Sequence, residues 1–206
     1  DHQFTTDASI IYGPESIVTT PDGAVVYGES SEHTSPDYNK PMRVFKVNTQ
    51  GLPDPGFSTP VIDYPVTNKV RVGADGAIYW NGSIMSPVYN HDALRQPILK
   101  LHANGSLDTV AFKNYPRNLM VKDFEILPNG KIAIACERIG TYDSADVVMR
   151  LNADLSIDST FMPVALLYNL NHVNHDGDDK IIIAGEPKRA FRFENEQIQN
   201  IAILTK

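Results

Sequence analysis

The chain has 206 residues, 42% hydrophobic and 21% charged, which is enough apolar material for a substantial core and too little charge for wholesale disorder. A formal net charge of -7 and the lack of any Lys/Arg-rich run argue against nucleic acid or an anionic membrane as the main partner. The single cysteine, Cys136, excludes an intrachain disulfide and a multi-cysteine metal site, and no stretch carries the ~18 consecutive apolar residues of a membrane helix.

The chain opens at Asp1 with no initiator Met and no basic-then-apolar leader, so it is read as a processed or excised piece. Asp1-His2-Gln3-Phe4 has the D-x-x-F spacing that returns at Asp54 to Phe57 and Asp158 to Phe161. The first full repeat runs through Ile17-Val18-Thr19, the turn Pro21-Asp22-Gly23 and Val25-Val26-Tyr27-Gly28. An Asp-Gly or Asn-Gly pair between short apolar runs is a strong hairpin signal, because both residues tolerate positive φ. After a polar stretch, Ser30 to Lys40, come a strand around Arg43 to Val47 and Gly51-Leu52-Pro53-Asp54.

The same order recurs twice. The second repeat has Val70 to Val72, Asp75-Gly76, Ile78 to Trp80, a loop from Ser83 to Gln96, Ile98 to Leu101, then Gly105-Ser106-Leu107-Asp108 and Phe112. The third has Phe124 to Ile126, Asn129-Gly130, Ile132 to Ile134, a loop from Glu137 to Asp146, Val147 to Leu151, then Ser156-Ile157-Asp158. The fourth has His172 to Asn174, a looser turn Asp176-Gly177-Asp178-Asp179 aligned at Asp179, Ile181 to Gly185, a short loop, and Phe191-Arg192-Phe193, with no D-x-x-F of its own. Columns such as Val25, Ile78, Ile132 and Ile181 stay apolar, and so do their neighbours, which predicts strands buried on both faces. A strand-and-turn period near 50 residues predicts an all-β fold, a β-propeller or propeller-like array of about four repeats, at approximately 9–60, 61–116, 117–166 and 167–206 plus 1–8. Sustained helical periodicity is missing, so helix content is expected to be low.

Arg150-Leu151-Asn152-Ala153-Asp154 through Ser156-Ile157-Asp158-Ser159-Thr160-Phe161, Lys100 to Asp108 and Leu127 to Ile132 resemble the delta-60 repeat of bacterial β-propellers. The resemblance covers nearly the whole chain. It implies a propeller in a secreted or surface-exposed bacterial protein, an interaction module within a longer chain, and no shared catalytic residues. Leu155 stands where the repeat usually has Gly. Two readings of the chain ends remain open. Either Asp1 to Phe4 completes the fourth repeat and closes a ring, removing exposed strand edges, or the array is continued by a removed part of the chain or a second subunit.

Candidate chemistry is sparse. His172 and His175 lie three apart, with Asp176, Asp178 and Asp179 nearby, but on a strand they face opposite ways, whereas a zinc site wants convergent ligands. Asn152-x-Asp154-x-Ser156-x-Asp158 alternates oxygen ligands like a calcium loop, yet lacks the Gly and final Glu of that loop; an Asp capping turn N–H groups fits better. Tyr79 and Trp80 suit sugar stacking, but Trp80 shares a column with Ile134 and Ile183, which favours core packing. Asp123 and Glu125 share a strand face and are the candidate carboxylate pair of a glycoside-hydrolase-like domain. Their column also holds Ser16/Val18 and Lys69/Arg71, which favours a solvated edge or channel lining. Asn81-Gly82-Ser83 and Asn104-Gly105-Ser106 match the glycosylation sequon. No catalytic, metal or cofactor residues are assigned.

The loops after the second strand vary most between repeats, and loops on a rigid scaffold tend to carry function. Tyr38, Tyr89, His91 and Tyr142 are the candidate ligand-binding residues, suited to a polar ligand by stacking and hydrogen bonding. The expected function is a non-catalytic extracytoplasmic binding or scaffolding module for a polysaccharide or protein partner. A hydrolase domain and a purely structural segment of a longer surface protein are the alternatives.

Overall fold

A computed structural model describes residues 14–29, 44–59, 67–82, 98–116, 118–138, 146–166, 168–177, 180–187 and 201–205. The chain divides into two compact units, residues 1–113 and 114–206. The first unit holds two three-stranded sheets, one of β1 (Pro14–Thr19), β2 (Val25–Glu29) and β3 (Val44–Val47), the other of β4 (Thr67–Val72), β5 (Ile78–Gly82) and β6 (Ile98–Leu101). A short helix, α1 (Thr109–Asn114), follows β6. The second unit holds β7 (Leu119–Ile126), β8 (Ile132–Arg138), β9 (Asp146–Leu151) and β10 (Val164–Leu166) in one sheet, and β11 (Tyr168–His175), β12 (Lys180–Pro187) and β13 (Ile201–Thr205) in another. Every pairing is antiparallel. The fold is all-β, a β-propeller-like array of four sheets.

Each sheet starts with the turn the sequence predicts. Thr20 N–H donates to Ala24 O, Gly73 N–H to Ala77 O and Leu127 N–H to Lys131 O, each at 2.8 Å. Gly23, Gly76 and Gly130 occupy the same position of these turns at φ near +80°, where a Cβ would clash with the backbone. The Oδ1 atoms of Asp75 and Asn129 accept the N–H two residues on, which satisfies the turn internally. The fourth turn closes from Asp176 N–H to Lys180 O, with Gly177 at positive φ.

The second repeated element is a turn that leads into the D-x-x-F tail. Asn48, His102 and Asn152 donate their N–H to Leu52, Ser106 and Ser156 O at 2.8, 2.8 and 2.9 Å. The residue at positive φ is Gly51, Gly105 and Leu155 respectively. The chain then folds back so that Asp54, Asp108 and Asp158 donate their N–H to Lys46, Lys100 and Arg150 O. In the second copy the tail is one residue longer, because Asp108 caps α1 by accepting from Val110 and Ala111 N–H, which moves the aromatic residue to Phe112.

Strand alternation gives each sheet two faces. On the first sheet, Ile17, Tyr27 and Phe45 share the front face, and Val18, Val26 and Lys46 the back. Within the first unit, the back of sheet one (Val18, Val26, Val44) packs on the front of sheet two (Val70, Ile78, Trp80, Leu99, Leu101). Within the second unit, the back of sheet three (Ala133, Ala135, Val148) packs on the front of sheet four (Leu170, Val173, Ile181, Ile183). Burial on both faces holds for β5, β8 and β9, whereas Val25 and Tyr27 of β2 are only half-buried. One element of the fourth repeat differs from expectation. The strand paired to β12 is Ile201–Thr205, not Phe191 to Phe193, so residues 188–200 intervene where a nearly absent loop was expected. Bulky apolar residues at both places left hydropathy alone unable to choose, and Phe191 to Phe193 lie outside the described residues.

Leu155 and Gly105 fill the same turn position in opposite ways. A Cβ on Gly105 would stand 2.8 Å from Ser58 O, whose own N–H donates to Asn104 O. Leu155 accepts φ +65° and is fully buried. The left-handed backbone costs about 1–2 kcal/mol, while losing a buried Leu side chain costs about 2–5 kcal/mol. Leu155→Gly is therefore expected to be net destabilising by about 1–3 kcal/mol in urea unfolding, despite restoring the usual residue of the repeat. A gain in stability would show that the backbone term dominates.

Candidate functional site

The first strand of every sheet carries an irregularity at one equivalent place. Pairing slips between Pro14 and Ser16, Thr67 and Lys69, Val121 and Asp123, and Leu170 and His172. The extra residue increases local twist and re-aims the side chain that follows. In the first sheet of each unit that side chain bridges to the unit's other sheet. Ser16 Oγ accepts from Val70 N–H at 3.0 Å. In the second unit the equivalent Asp123 accepts from Val173 N–H at 2.8 Å through Oδ2 and from Phe124 N–H at 2.9 Å through Oδ1. Asp146, fully buried at the start of β9, accepts from Leu170 N–H and from both contacts of Lys122 Nζ at 2.9 Å. Lys122 is itself the extra residue of the β7 irregularity.

A second ionic cluster ties the D-x-x-F tail of the third repeat to its own sheet. Arg150 and Asp158 are both 3% exposed and paired, Lys131 Nζ reaches Asp158 Oδ2 at 2.8 Å, and Thr160 N–H and Oγ1 donate to Oδ1. The Arg150 guanidinium also lies 5.0 Å from the Phe161 ring centroid. Burial pushes the Asp158 carboxyl up, but hydrogen bonds from Lys131, Thr160 and Arg150 together hold it well below the usual carboxylate range. The first repeat has a looser version, with Lys46 Nζ 3.5 Å from both Asp22 and Asp54. Asp22 is also lowered, first by the Thr20 hydroxyl.

Beside those residues a cleft of about 240 Å³ opens between the turns of the first two sheets, lined by Asp22, Lys46, Asp75 and Ile78 among others. It falls below the roughly 300–1,000 Å³ of ligand pockets. Its charges are partnered within the repeat.

The four loop residues Tyr38, Tyr89, His91 and Tyr142 lie outside the described residues. His172 and His175 sit on opposite faces of β11, the former with Nδ1 3.9 Å from Asp123 and the latter facing the Ile181 side. The oxygens of the calcium-like stretch serve the turn: Asp154 Oδ1 accepts from Ser156 N–H and Oγ, and Asp158 takes Lys131 and Arg150. Among the described residues no three His, Cys, Asp or Glu side chains gather as for a metal ion. Tyr79 and Trp80 are core residues, 2% and 1% exposed, with Lys100 Nζ 5.6 Å above the Tyr79 ring. Of the acid pair, Asp123 is buried and Glu125 half-buried. Cys136 is buried and its thiol is pushed up to about 12 by burial, so it is not poised as a nucleophile. Asp146, expected as the last residue of the variable loop of the third repeat, is instead the buried first residue of β9, and Lys122 carried no sequence signal of its own.

The family model "Domain of unknown function (DUF5122) beta-propeller" matches residues 127–161. The matched stretch runs from the Asn129-Gly130 turn through β8 and β9 to Phe161 and so spans the Arg150–Asp158–Lys131 cluster. The repeats are of β-propeller type. No curated protein matches the chain.

Asp158→Asn leaves buried Arg150 without its carboxylate, which is expected to cost about 3 kcal/mol at neutral pH. A carboxyl held low in the folded state stabilises above its unfolded value, near 3.8, and that stabilisation is lost as pH falls below it. The stability gap between wild type and variant should therefore narrow below about pH 4 in urea titrations. A gap that stays constant down to pH 2 would contradict the assignment.

Proposed function

We propose that this chain is a non-catalytic binding or scaffolding module, working outside the cytoplasm, whose ligand is a polysaccharide gripped by the loops after the second strand of each sheet. The observation that carries the reading is the use made of the buried acids. Asp123, Asp146 and Asp158 spend their oxygens on backbone N–H groups and on Lys or Arg partners. A glycoside-hydrolase pair instead needs one carboxyl free to protonate the leaving group and another free to act on the sugar or a water.

In each sheet the connection from second to third strand leaves the end opposite the tight turn. Tyr38, Tyr89, His91 and Tyr142 fall in three of these connections. Tyr offers a flat apolar face and a hydroxyl at low entropic cost, which suits sugar rings.

Affinity gel electrophoresis against soluble polysaccharides tests the proposal, with wild type beside a Tyr38→Ala, Tyr89→Ala, Tyr142→Ala variant. Retardation by a glycan is expected, weakened at least tenfold in the variant, since each stacking contact is worth about 0.5–1.5 kcal/mol. Hydrolysis of the glycan that is lost on replacing a single carboxylate would overturn it.

A further inference from the structure

Asn-Gly is a pair at which a chain can alter itself without an enzyme. The glycine nitrogen, with no neighbouring side chain to shield it, attacks the asparagine Cγ. A Cγ–N bond forms and closes a succinimide ring, the Cγ–Nδ2 bond breaks, and ammonia leaves carrying the glycine's amide proton. Solvent water then opens the ring at either carbonyl, which leaves aspartate or the β-linked isoaspartate. The chain carries three such pairs, Asn81-Gly82, Asn104-Gly105 and Asn129-Gly130.

Their surroundings differ. Asn81 lies within β5, 0% exposed and paired on both sides, to Lys69 and to Ile98. Ring closure there must break into the middle of a sheet. Asn104 and Asn129 are both exposed and both sit in turns. In each, the glycine N–H donates to the carbonyl three residues back, His102 O or Leu127 O, at 2.8 Å. In each, the asparagine Oδ1 accepts the N–H two residues on, from Ser106 or Lys131, at 3.0 Å. The reaction therefore starts from a locally opened turn, and the cost of opening sets its rate. The turn at Asn104 is held by more. Ser58 N–H donates to Asn104 O at 3.0 Å, and Ser106 Oγ donates to Asn104 Oδ1 at 2.7 Å. A Cβ on Gly105 would stand 2.8 Å from Ser58 O and 3.1 Å from the Phe57 ring, so the backbone there has no room to turn. Around Gly130 nothing lies within 4 Å of the same position.

We propose that Asn129 is a self-modification site of the folded chain, deamidating through the Gly130 nitrogen while Asn104 and Asn81 are held back by their packing. The aspartate product fits the fold, because the equivalent turns already carry Asp22 and Asp75 ahead of a glycine at the same φ. Asp22 lies 3.5 Å from Lys46, and Arg150 holds the place of Lys46 on the third strand of its own sheet. The isoaspartate product does not fit. It adds a methylene to the main chain between positions 129 and 130, so the Leu127–Lys131 bond loses its register and Lys131 is drawn away from Asp158.

The test ages the 206-residue chain in mildly alkaline buffer at physiological temperature, once folded and once in concentrated urea, followed by tryptic mass mapping. Asn129 is the single asparagine of the peptide 123–131, and Asn104 of the peptide 101–113. In the folded chain the gain of one mass unit is expected at Asn129 at least fivefold faster than at Asn104, with Asn81 unchanged, and urea should bring the three sites together. Isoaspartyl methyltransferase labelling should mark the 123–131 peptide of the aged folded chain. Asn129→Ser, which keeps a turn acceptor, should abolish both signals with the circular dichroism unchanged. Asn104 reacting as fast as Asn129 in the folded chain would overturn the proposal. So would an Asn129 held to the rate of Asn81, or a mass gain in the 123–131 peptide that survives Asn129→Ser.

Discussion

The structure depends on how one sheet is tied to the next at the first strand. A first strand is an edge strand, and its outward N–H groups need partners or water. The extra residue placed at the same point of β1 and β7 turns the following side chain toward the other sheet of its own unit. Where that side chain is Ser16, it holds one N–H. Where it is Asp123, it holds two, and Asp146, on the third strand of the same sheet, holds a third. Carboxylates bond N–H groups about twice as strongly as neutral acceptors do, so the join between sheets three and four is the firmer of the two described.

Around that join the repeat is closed by a second device. The D-x-x-F Asp folds the tail back onto the third strand through its own N–H and caps the tail through its side chain. In the third repeat the cap is also an ion pair with Arg150 and Lys131, and Phe161 lies against the guanidinium. Buried ion pairs are weak evidence of net stability, because desolvation opposes the attraction. Their value here is positional: a tail fixed at one register lets the next sheet pack without slippage. The same need explains Leu155, where a buried side chain is kept at the expense of a strained backbone.

Much of this was legible in the sequence because it rests on local chemistry. The Asp-Gly and Asn-Gly turns, the strand Ile98–Leu101, all of Asp146–Leu151 but its first residue, and the core placement of Trp80 follow from turn residues and apolar columns. What could not be read was non-local. The role of Asp123 depends on Val173, fifty residues away, and that of Asp146 depends on a pairing slip at Lys122 that no composition reveals. The third strand of the fourth repeat was misplaced because Phe191-Arg192-Phe193 and Ile201 to Leu204 are both plausible strands, and only pairing to β12 separates them. The loop tyrosines remain a sequence-based proposal resting on composition and position.

The functional reading and the architecture share one physical basis: the buried acids have their oxygens committed to backbone N–H groups and to Lys or Arg partners. The most direct measurement is amide hydrogen exchange on wild type and Asp123→Ala, read at Val173. The account predicts that the Val173 amide is protected in wild type and exchanges at least tenfold faster in the variant, while Ile181 and Ile183 in the same sheet are unchanged, as expected for loss of one hydrogen bond worth about 1.5–3 kcal/mol. Equal protection of Val173 in both proteins would show that the carboxylate does not hold the neighbouring sheet and would contradict the account.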